Sequence, residues 1–528
     1  MVKIKCETLD DEAFGISRIG KMTYVVENLL PGEVCEIEEL RKTKHVTFGY
    51  PKRFIHTSPD RSKIMCPYYA DCGSCNIMHM NYARQLAFKN DLVKKMYSNI
   101  DVDISSCIGM DEPYHYRNKV QIVLGPNYSG GFYKRETHEL INIDKCLLEP
   151  PLASKINRFV KDLLRKYKIS IYSSNDKSGL LRYVLSRYSR LNGNVMVVLV
   201  ATKYDPVLKN VAQDLTNHFN EVVSVILNIN DKQTNTILGQ ESMTLFGNDF
   251  IIDQILGCKY QISAKSFFQI NNIQTEKLYE TAIDCLDIDH NSNCIDAYSG
   301  IGSISLLLAK KVKHVYGIEI VESAYLNAIE NKKLNNINNV DFLLGPCEVE
   351  IKKLVSEKTI DAIVFDPPRK GCDKEFLDTV IEMKIPQIAY ISCNIKTQVR
   401  DVKYLMEHGY VPKKVIPVDM FPMTTHVETV CLLSKLNAKE HIEVELDMDE
   451  LDLTTAESKA TYEEIKEYVL EHTGLKVSHL YIAQVKQKYG IIERENYNKP
   501  KSENSRQPKC PPEKEAAITD ALKFFGML

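Results

Sequence analysis

Short apolar runs punctuated by Gly and Pro fill the first 60 positions: "AFGISRIG", "MTYVVENLLPGEVCEIEEL" and "HVTFGYPKRFI". That pattern predicts a small β-barrel over residues 1–60. The character changes over 61–100, where three close cysteines precede the helical pattern "NYARQLAFKNDLVKKMY". Residues 107–265 mix strands and helices, and "NVMVVLVATK" and "VVSVILNIN" read as buried strands. From 292 onward strands alternate regularly with helices, the signature of a doubly wound parallel sheet. Strands are expected near 293–297, 314–319, 340–344, 361–365, 387–392, 414–418 and 427–434. An acidic tail follows. In it "AESKATYEEIKEYVLEHTG" predicts a helix ending at Gly474, and "HLYIAQVKQKYG" a second. "NYNKPKSENSRQPKCPPEK" is a Pro-rich connector before a last short helix, and no internal repeat is visible.

A chain of 528 residues is too long for one typical core, so three or four domains are expected. The fold class is α/β and α+β multidomain. The segments are a barrel (1–60), a central mixed α/β domain (61–265), a Rossmann-like domain (266–436) and an appended α-rich module (437–528). With 44% hydrophobic and 26% charged residues the composition is ordinary for a globular protein. The start "MVKIKCETLD" lacks the apolar stretch of a secretory signal, and no apolar run reaches 18 residues. A soluble, cytoplasmic protein without membrane contact is therefore expected. Thiols stay reduced there, so the 15 cysteines should be core residues, metal or cluster ligands, or catalytic groups.

Charge changes the picture once it is divided. Residues 440–471 hold a balance of −10 against −3 for the whole chain, which leaves the remainder at +7. A modestly basic body is compatible with a nucleic-acid partner. Arg41, Lys42, Lys44, Lys52 and Arg53 lie on the later strands of the barrel.

"NCIDAYSGIGSISLLLAKK" runs from a strand through Gly300 and Gly302 into a helix, where small residues let a ligand approach the backbone. The next strand ends in Glu319, 23 residues after Asp296, an acid placed to accept from ribose hydroxyls. A third glycine of the dinucleotide fingerprint is missing, which favours S-adenosylmethionine (SAM) over NAD. In "DAIVFDPPRKG", Asp366 precedes two prolines, so the chain leaves the strand as a rigid edge at the ligand-binding end of the sheet. Cys393 of "YISCNIKTQVRDV" ends the following strand on the same rim. A thiolate there is nucleophilic, and the helix beginning near Lys396 offers a means of lowering its pKa. "THVE" brings His426 and Glu428 back to the rim, and either suits a general base.

"CPYYADCGSC" spaces Cys66, Cys72 and Cys75 as C-x5-C-x2-C, and Cys146 is the best candidate for a fourth thiolate. Four thiolates suit zinc or an iron–sulfur cluster.

Over about residues 1–436 these motifs together resemble the RNA uracil-5-methyltransferases, especially the branch acting on 23S ribosomal RNA. "GISRIG", "LLPGEV" and "SPDR" look like a TRAM domain, an OB-like RNA-binding barrel. "CPYYADCGSC", "QLAFKND" and Cys146 are similar to the family's [4Fe–4S] region, so the resemblance implies an iron–sulfur cluster held by Cys66, Cys72, Cys75 and Cys146. "SFFQIN", "DAYSGIGSISL", "YGIE", "DPPRKG", "ISCN" and "THVE" match the methyltransferase domain in order. Carried over position by position, Gln269, Tyr298 and Ser303 resemble SAM contacts, Glu319 the ribose acid, and Asp366 the acid of the Asp-Pro-Pro turn. Cys393 resembles the nucleophile and Glu428 the base, so the resemblance chooses Glu428 over His426. There are departures: Ser74 replaces a glycine, Met78 precedes His79, and Pro346 and Cys347 stand where relatives often carry the adenine contact. Residues 437–528 have no counterpart.

The resemblance implies methylation of C5 of an RNA uridine. Cys393 adds to C6 to make C5 electron-rich, and Glu428 removes the C5 proton. The uridine must be flipped out of the RNA to be reached. The expected partner is RNA, with the protein a monomer. Three alternatives stay beside this reading. A transfer-RNA uracil-5-methyltransferase would share the methyltransferase motifs, though family members acting on transfer RNA commonly lack the TRAM-like barrel. A cytosine-5-methyltransferase would carry a different cysteine motif. A non-catalytic RNA-binding assembly factor would not need Cys393, Asp366 and Glu428.

Overall fold

The computed structural model describes residues 2–135, 137–174, 176–232, 236–436, 462–489 and 510–524. Most of the acidic stretch 440–471 and of the connector 496–514 lies outside the described residues. The chain divides into two compact units, Met1–Glu440 and His441–Leu528.

In the first unit, β1 (Val2–Lys5), β2 (Thr8–Leu9), β3 (Gly15–Ile19), β4 (Met22–Val26), β5 (Val34–Lys42) and β6 (Val46–His56) form one sheet ordered β1-β5-β6-β4-β3-β2. Alternation along these strands buries Ile4, Val26, Cys35 and Ile37 with Leu29. The basic face read from the sequence is partly neutralised: Arg53 pairs with Glu36 at 2.6 Å and Lys52 with Glu38 at 3.5 Å across the β5–β6 pair.

Helix α1 (Tyr82–Met96) starts at Asn81, whose side chain accepts from Arg84 N, and its buried face carries Gln85, Phe88, Lys89 and Val93. Strand β7 (Asp103–Ile104) follows. Sequence periodicity assigns this stretch to the central region. In the structure Val93, Tyr97 and Ile100 pack with Ile363, Phe365 and Tyr390 of the last sheet, and β7 extends that sheet's edge.

A second sheet comprises β8 (Lys119–Gly125), β9 (Ser129–Tyr133), β10 (Leu140–Asn142), β11 (Leu181–Tyr188), β12 (Val195–Ala201), β13 (Val222–Ile229) and β14 (Glu241–Gly247), ordered β10-β9-β8-β11-β12-β13-β14. Helices α2 (Pro151–Lys166) and α3 (Val207–His218) cover one face, and β12 is buried along its whole length. The hairpin β15 (Phe250–Ile255) and β16 (Cys258–Ser263) leads to α4 (Asn272–Asp284), capped by Asn271.

The last sheet holds the predicted alternation. Its elements are β17 (Asn293–Ala297), α5 (Ser303–Leu308), β18 (His314–Glu319), α6 (Glu322–Leu334), β19 (Val340–Leu344), α7 (Cys347–Glu357), β20 (Ala362–Phe365), α8 (Lys374–Glu382), β21 (Gln387–Ser392), α9 (Ile395–Glu407), β22 (Tyr410–Val418) and β23 (Glu428–Lys435). The order is β19-β18-β17-β20-β21-β23-β22-β7; β19 through β21 run parallel, and β23 is antiparallel to β21. Strand order reverses direction between β17 and β20, and in such sheets ligands bind outside the carboxyl ends at that point.

In the second unit α10 (Tyr462–Thr473), α11 (His479–Lys488) and α12 (Pro512–Phe524) share a core of Ile465, Val469, Ile482, Val485, Ile518 and Leu522. Among the described residues no helix is long and apolar enough to cross a membrane.

Candidate active site

The turn after β17 is built from backbone that most side chains disfavour. Tyr298, Gly300 and Gly302 all take left-handed conformations, with φ of 61°, 56° and 81°. A Cβ at Gly302 would come within 2.7 Å of Phe342 Cζ, so only glycine fits there. Strain at Tyr298 marks a turn held in place by its surroundings. Glu319, at the end of β18, is 8% exposed and fixes the turn: Oε2 accepts from Gly300 N at 2.8 Å and Oε1 from Val321 N at 2.7 Å. Gly300 and Glu319 line a cavity of about 470 Å³ together with Ser266, Phe267, Val321 and Asn327. Each Glu319 oxygen keeps a second lone pair for a diol.

Beneath the turn lies Asp296, whose Oδ2 accepts from the Ser305 hydroxyl at 2.5 Å. Burial pushes its carboxyl up to about 7, and Asp366 and Glu319 add to the shift. Ser303 opens α5, and it lies with Gln269 beside the buried Tyr279 phenol. Gln269 Nε2 in turn donates to Asp366 Oδ2 at 3.4 Å. Tyr298 and Asp366 follow the paired residues Ala297 and Phe365 in parallel register, which sets them side by side on the rim. The rim is therefore rich in carboxylates, an environment that fits the sulfonium charge and ribose of SAM.

Strand register decides the neighbour of Cys393. Ser392 pairs with Thr429 in the antiparallel β21–β23 ladder, so the next positions, Cys393 and Glu428, face each other. Thr429 Oγ1 donates to Gln398 Oε1 at 2.6 Å, and Gln398 Nε2 donates to Tyr390 O at 2.9 Å, which ties α9 to both strands. Asn394 caps α9 through Lys396 N and also donates to Arg369 O at 3.0 Å. Half-buried Cys393 opens onto a cleft of about 250 Å³ shared with Arg369, Lys396, Thr425 and His426 and bordered by Asp11 and Glu12.

The start of α9 offers a means of lowering the Cys393 pKa, but the surroundings of the thiol act in the opposite direction. Burial pushes the thiol up to about 11, the carboxylates of Glu428 and Asp366 add to this, and Arg369 opposes it. Glu428 is 3% exposed, and burial followed by Asp366 raises its carboxyl well above the usual range, again against Arg369. In both groups these surroundings favour the protonated form, and Arg369 is the charge that works against it. His426 reaches solvent at the mouth of the cleft, stands edge-on to Phe421, and is held below its usual pKa by partial desolvation against its neighbours and then by Arg369, Lys89 and Arg117.

Residues that sequence reasoning missed hold the loop between β22 and β23. Lys89 and Asp419 form an ion pair with both side chains inaccessible to solvent, Tyr82 Oη donates to Asp419 Oδ2 at 2.8 Å, and Lys89 also donates to Phe421 O at 3.1 Å. The available signal was polar Gln85 and Lys89 spaced i,i+4 among the apolar positions of α1.

The four cysteines gather in one region. Cys66, Cys75 and Cys146 pack with Tyr69, Met78, Met110, Tyr116 and Leu148. Burial pushes the Cys75 thiol up to about 12, with Cys146, Cys72 and Cys66 contributing charge and Arg117 opposing. Among the described residues no three Cys, His, Asp or Glu side chains converge as a single metal ion requires. The soft all-thiolate donor set itself suits a larger iron–sulfur cluster.

A family model described as tRNA (Uracil-5-)-methyltransferase matches residues 81–436. An uncharacterized RNA methyltransferase of Bacillus cereus is 39% identical over 444 residues, covering 82% of this chain and 96% of that protein. One from Listeria innocua is 40% identical over 441 residues, covering 82% and 97%. Among solved structures, the Pyrococcus abyssi tRNA (uracil-54, C5)-methyltransferase in complex with S-adenosyl-L-homocysteine superposes with a TM-score of 0.68 at 25% identity. That match covers 82% of this chain and 100% of the archaeal one.

Proposed function

The chain belongs to the tRNA (uracil-5-)-methyltransferase family and is an RNA methyltransferase, and from that premise we propose that it methylates C5 of a uridine in 23S ribosomal RNA through a covalent Cys393 adduct. The observation that carries this reading is the ladder register setting Cys393 opposite Glu428, with Asp366 one strand away. The Cys393 thiolate bonds to C6 of the flipped uracil, and the ring electrons gather at C5. Bound SAM supplies the methyl group and a positive charge that offsets the acidic rim formed by Glu319 and Asp366. Glu428 then takes the C5 proton, the C5–H pair restores the double bond, and the C6–S bond breaks to release the thiolate. Arg369 opposes the burial of both anions, so it favours the reactive forms of Cys393 and Glu428. Gln269, Tyr298 and Ser303 would hold SAM against the turn, and Glu319 its ribose.

Incubation with labelled SAM and ribosomal or transfer RNA tests this. Label is expected at uracil C5, and Cys393→Ala should abolish transfer while leaving SAM binding intact. Label at cytosine C5, or none, would overturn the reading.

The substrate assignment rests on the resemblance of residues 1–60 to a TRAM barrel. The archaeal neighbour favours a second reading, transfer RNA, because a tRNA enzyme superposes along its whole length. Mapping 5-methyluridine in both RNAs from cells lacking the protein separates the two. We assign Cys66, Cys72, Cys75 and Cys146 to a structural [4Fe–4S] cluster, supported by the gathering of the other three thiols around Cys75; absorbance near 400 nm after anaerobic purification would identify it. The proposed parts are a TRAM barrel (1–60), a cluster-bearing domain (61–265), a methyltransferase domain (266–436) and an appended module (437–528), acting as a cytoplasmic monomer.

A further inference from the structure

Loop 419–427, which delivers Glu428 to β23, is held by side chains from much earlier in the chain. Met420 O accepts from Asn271 Nδ2 at 3.0 Å, Phe421 O from Lys89, and Pro422 O from Tyr116 Oη at 3.1 Å. Met423, itself left-handed with φ of 69°, donates its N–H to Gln85 Oε1 at 3.0 Å, and its carbonyl accepts from Asn76 N and Ile77 N. These bonds fix the floor of the loop.

One pair reaches the wall of the catalytic cleft. Asn76 Nδ2 donates to Thr425 Oγ1 at 3.1 Å, and Asn76 Oδ1 accepts from Thr425 N at 3.0 Å. Thr425 is 8% exposed, lines the cleft beside Cys393 and stands three residues before Glu428. A flat amide that donates and accepts at once fixes both the position and the orientation of its partner. The two residues are 349 positions apart, so nothing local sets this contact.

Resting on the reading that Glu428 removes the C5 proton, the geometry points to Asn76 as a positioning residue for that step. It pins Thr425 and so fixes the turn from which Glu428 faces Cys393. Asn76 carries no proton in the reaction. With the turn loosened, C6–S bond formation and methyl transfer to C5 proceed as before. Loss of the C5 proton, whose bonding pair expels the thiolate, is what slows. The Cys393–C6 bond therefore persists after methylation.

The test uses the full chain with SAM and a uridine-containing RNA substrate, following both turnover and the RNA-linked protein that survives a denaturing gel. Asn76→Ala and Thr425→Val should turn over about tenfold more slowly and accumulate the linked species, because small misplacements of reacting groups are costly. Thr425→Ser should behave as the parent, and SAM affinity should be unchanged throughout. Glu428→Gln serves as reference, since it should trap the same species. Slow turnover without trapped RNA, or parental turnover in both variants, would overturn the role of Asn76. Should Glu428→Gln itself trap nothing, the covalent mechanism fails first. Thr425→Val keeps the test alive if Asn76→Ala does not fold.

Discussion

Cys393, the proposed nucleophile, sits in surroundings that oppose its thiolate. Its position on the rim was legible, because a cysteine ending an apolar run beside an Asp-Pro-Pro turn has few other places to be. Its charge state was not, since desolvation and the two facing carboxylates exist only in three dimensions. With the thiol pushed up to about 11, alkylation of Cys393 by iodoacetamide should rise about tenfold per pH unit through pH 9.5, where an ordinary thiol would level off near 8.5. Peptide mass spectrometry distinguishes it from the other cysteines, and a plateau by pH 8 would contradict the shift. Asp366 carries the complementary prediction. Its folded pKa is raised by burial, so the native state binds more protons than the unfolded chain between the two values. Stability is then fully present below the unfolded pKa and lost as pH rises through the folded one. Asp366→Asn removes that loss: Tm should rise by about 2–4 °C at pH 8, with a smaller change near pH 5, while methyl transfer falls. Equal shifts at both pH values in thermal unfolding would refute the assignment.

The clamp on loop 419–427 makes an energetic prediction for the elements that it joins. Truncating one partner of a buried ion pair strands the other charge, at about 3–5 kcal/mol. Lys89→Met strands Asp419 and frees Phe421 O, and so should lower the urea midpoint sharply. Lys89→Met combined with Asp419→Leu should cost less than the sum of the single changes, because the two residues share one network. Additive losses would show that α1 and the loop are not coupled. The same elements show what the sequence can carry. Strands β17 to β21 lie within a residue of their expected limits, because β17, β18, β20 and β21 are parallel strands buried on both faces that read as apolar runs, and the edge strand β19 still carries Phe342, Leu343 and Leu344 in sequence. Strand β22 begins at Tyr410, four residues before the expected start at 414, because Pro412 and a bulge break its apolar pattern. Strand β7 has two residues and leaves no periodicity to detect. The β5–β6 ion pairs depend on a register shifted by three irregularities, which no pattern in either strand announces.

At the scale of the whole molecule, the N-terminal sheet and the second unit bear on function in different ways. On the N-terminal sheet Lys52 and Arg53 already face acids, so Arg41, Lys42 and Lys44 are the better candidates for binding phosphate. Replacing these three by alanine should weaken RNA binding and flatten its log-affinity against log-salt slope by about 0.7–0.9 for each phosphate left without its cation. An unchanged slope would place the RNA elsewhere. The second unit calls for the opposite expectation. Its helices share a core drawn entirely from residues between 465 and 522, while the first unit carries its own buried clusters under every sheet. The Bacillus cereus relative aligns over 96% of its own length with 82% of this chain, and the family match ends at residue 436. Every residue given a chemical role here lies before that point. A chain ending at Glu440 should therefore fold, bind SAM and transfer methyl groups with turnover within about twofold of the full chain, well inside one RT ln 10 of barrier height. Parallel single-turnover and steady-state assays on the two forms measure this. If the shortened form keeps SAM affinity but loses methyl transfer, then the appended helices take part in RNA capture or product release, and the first unit is not the complete enzyme.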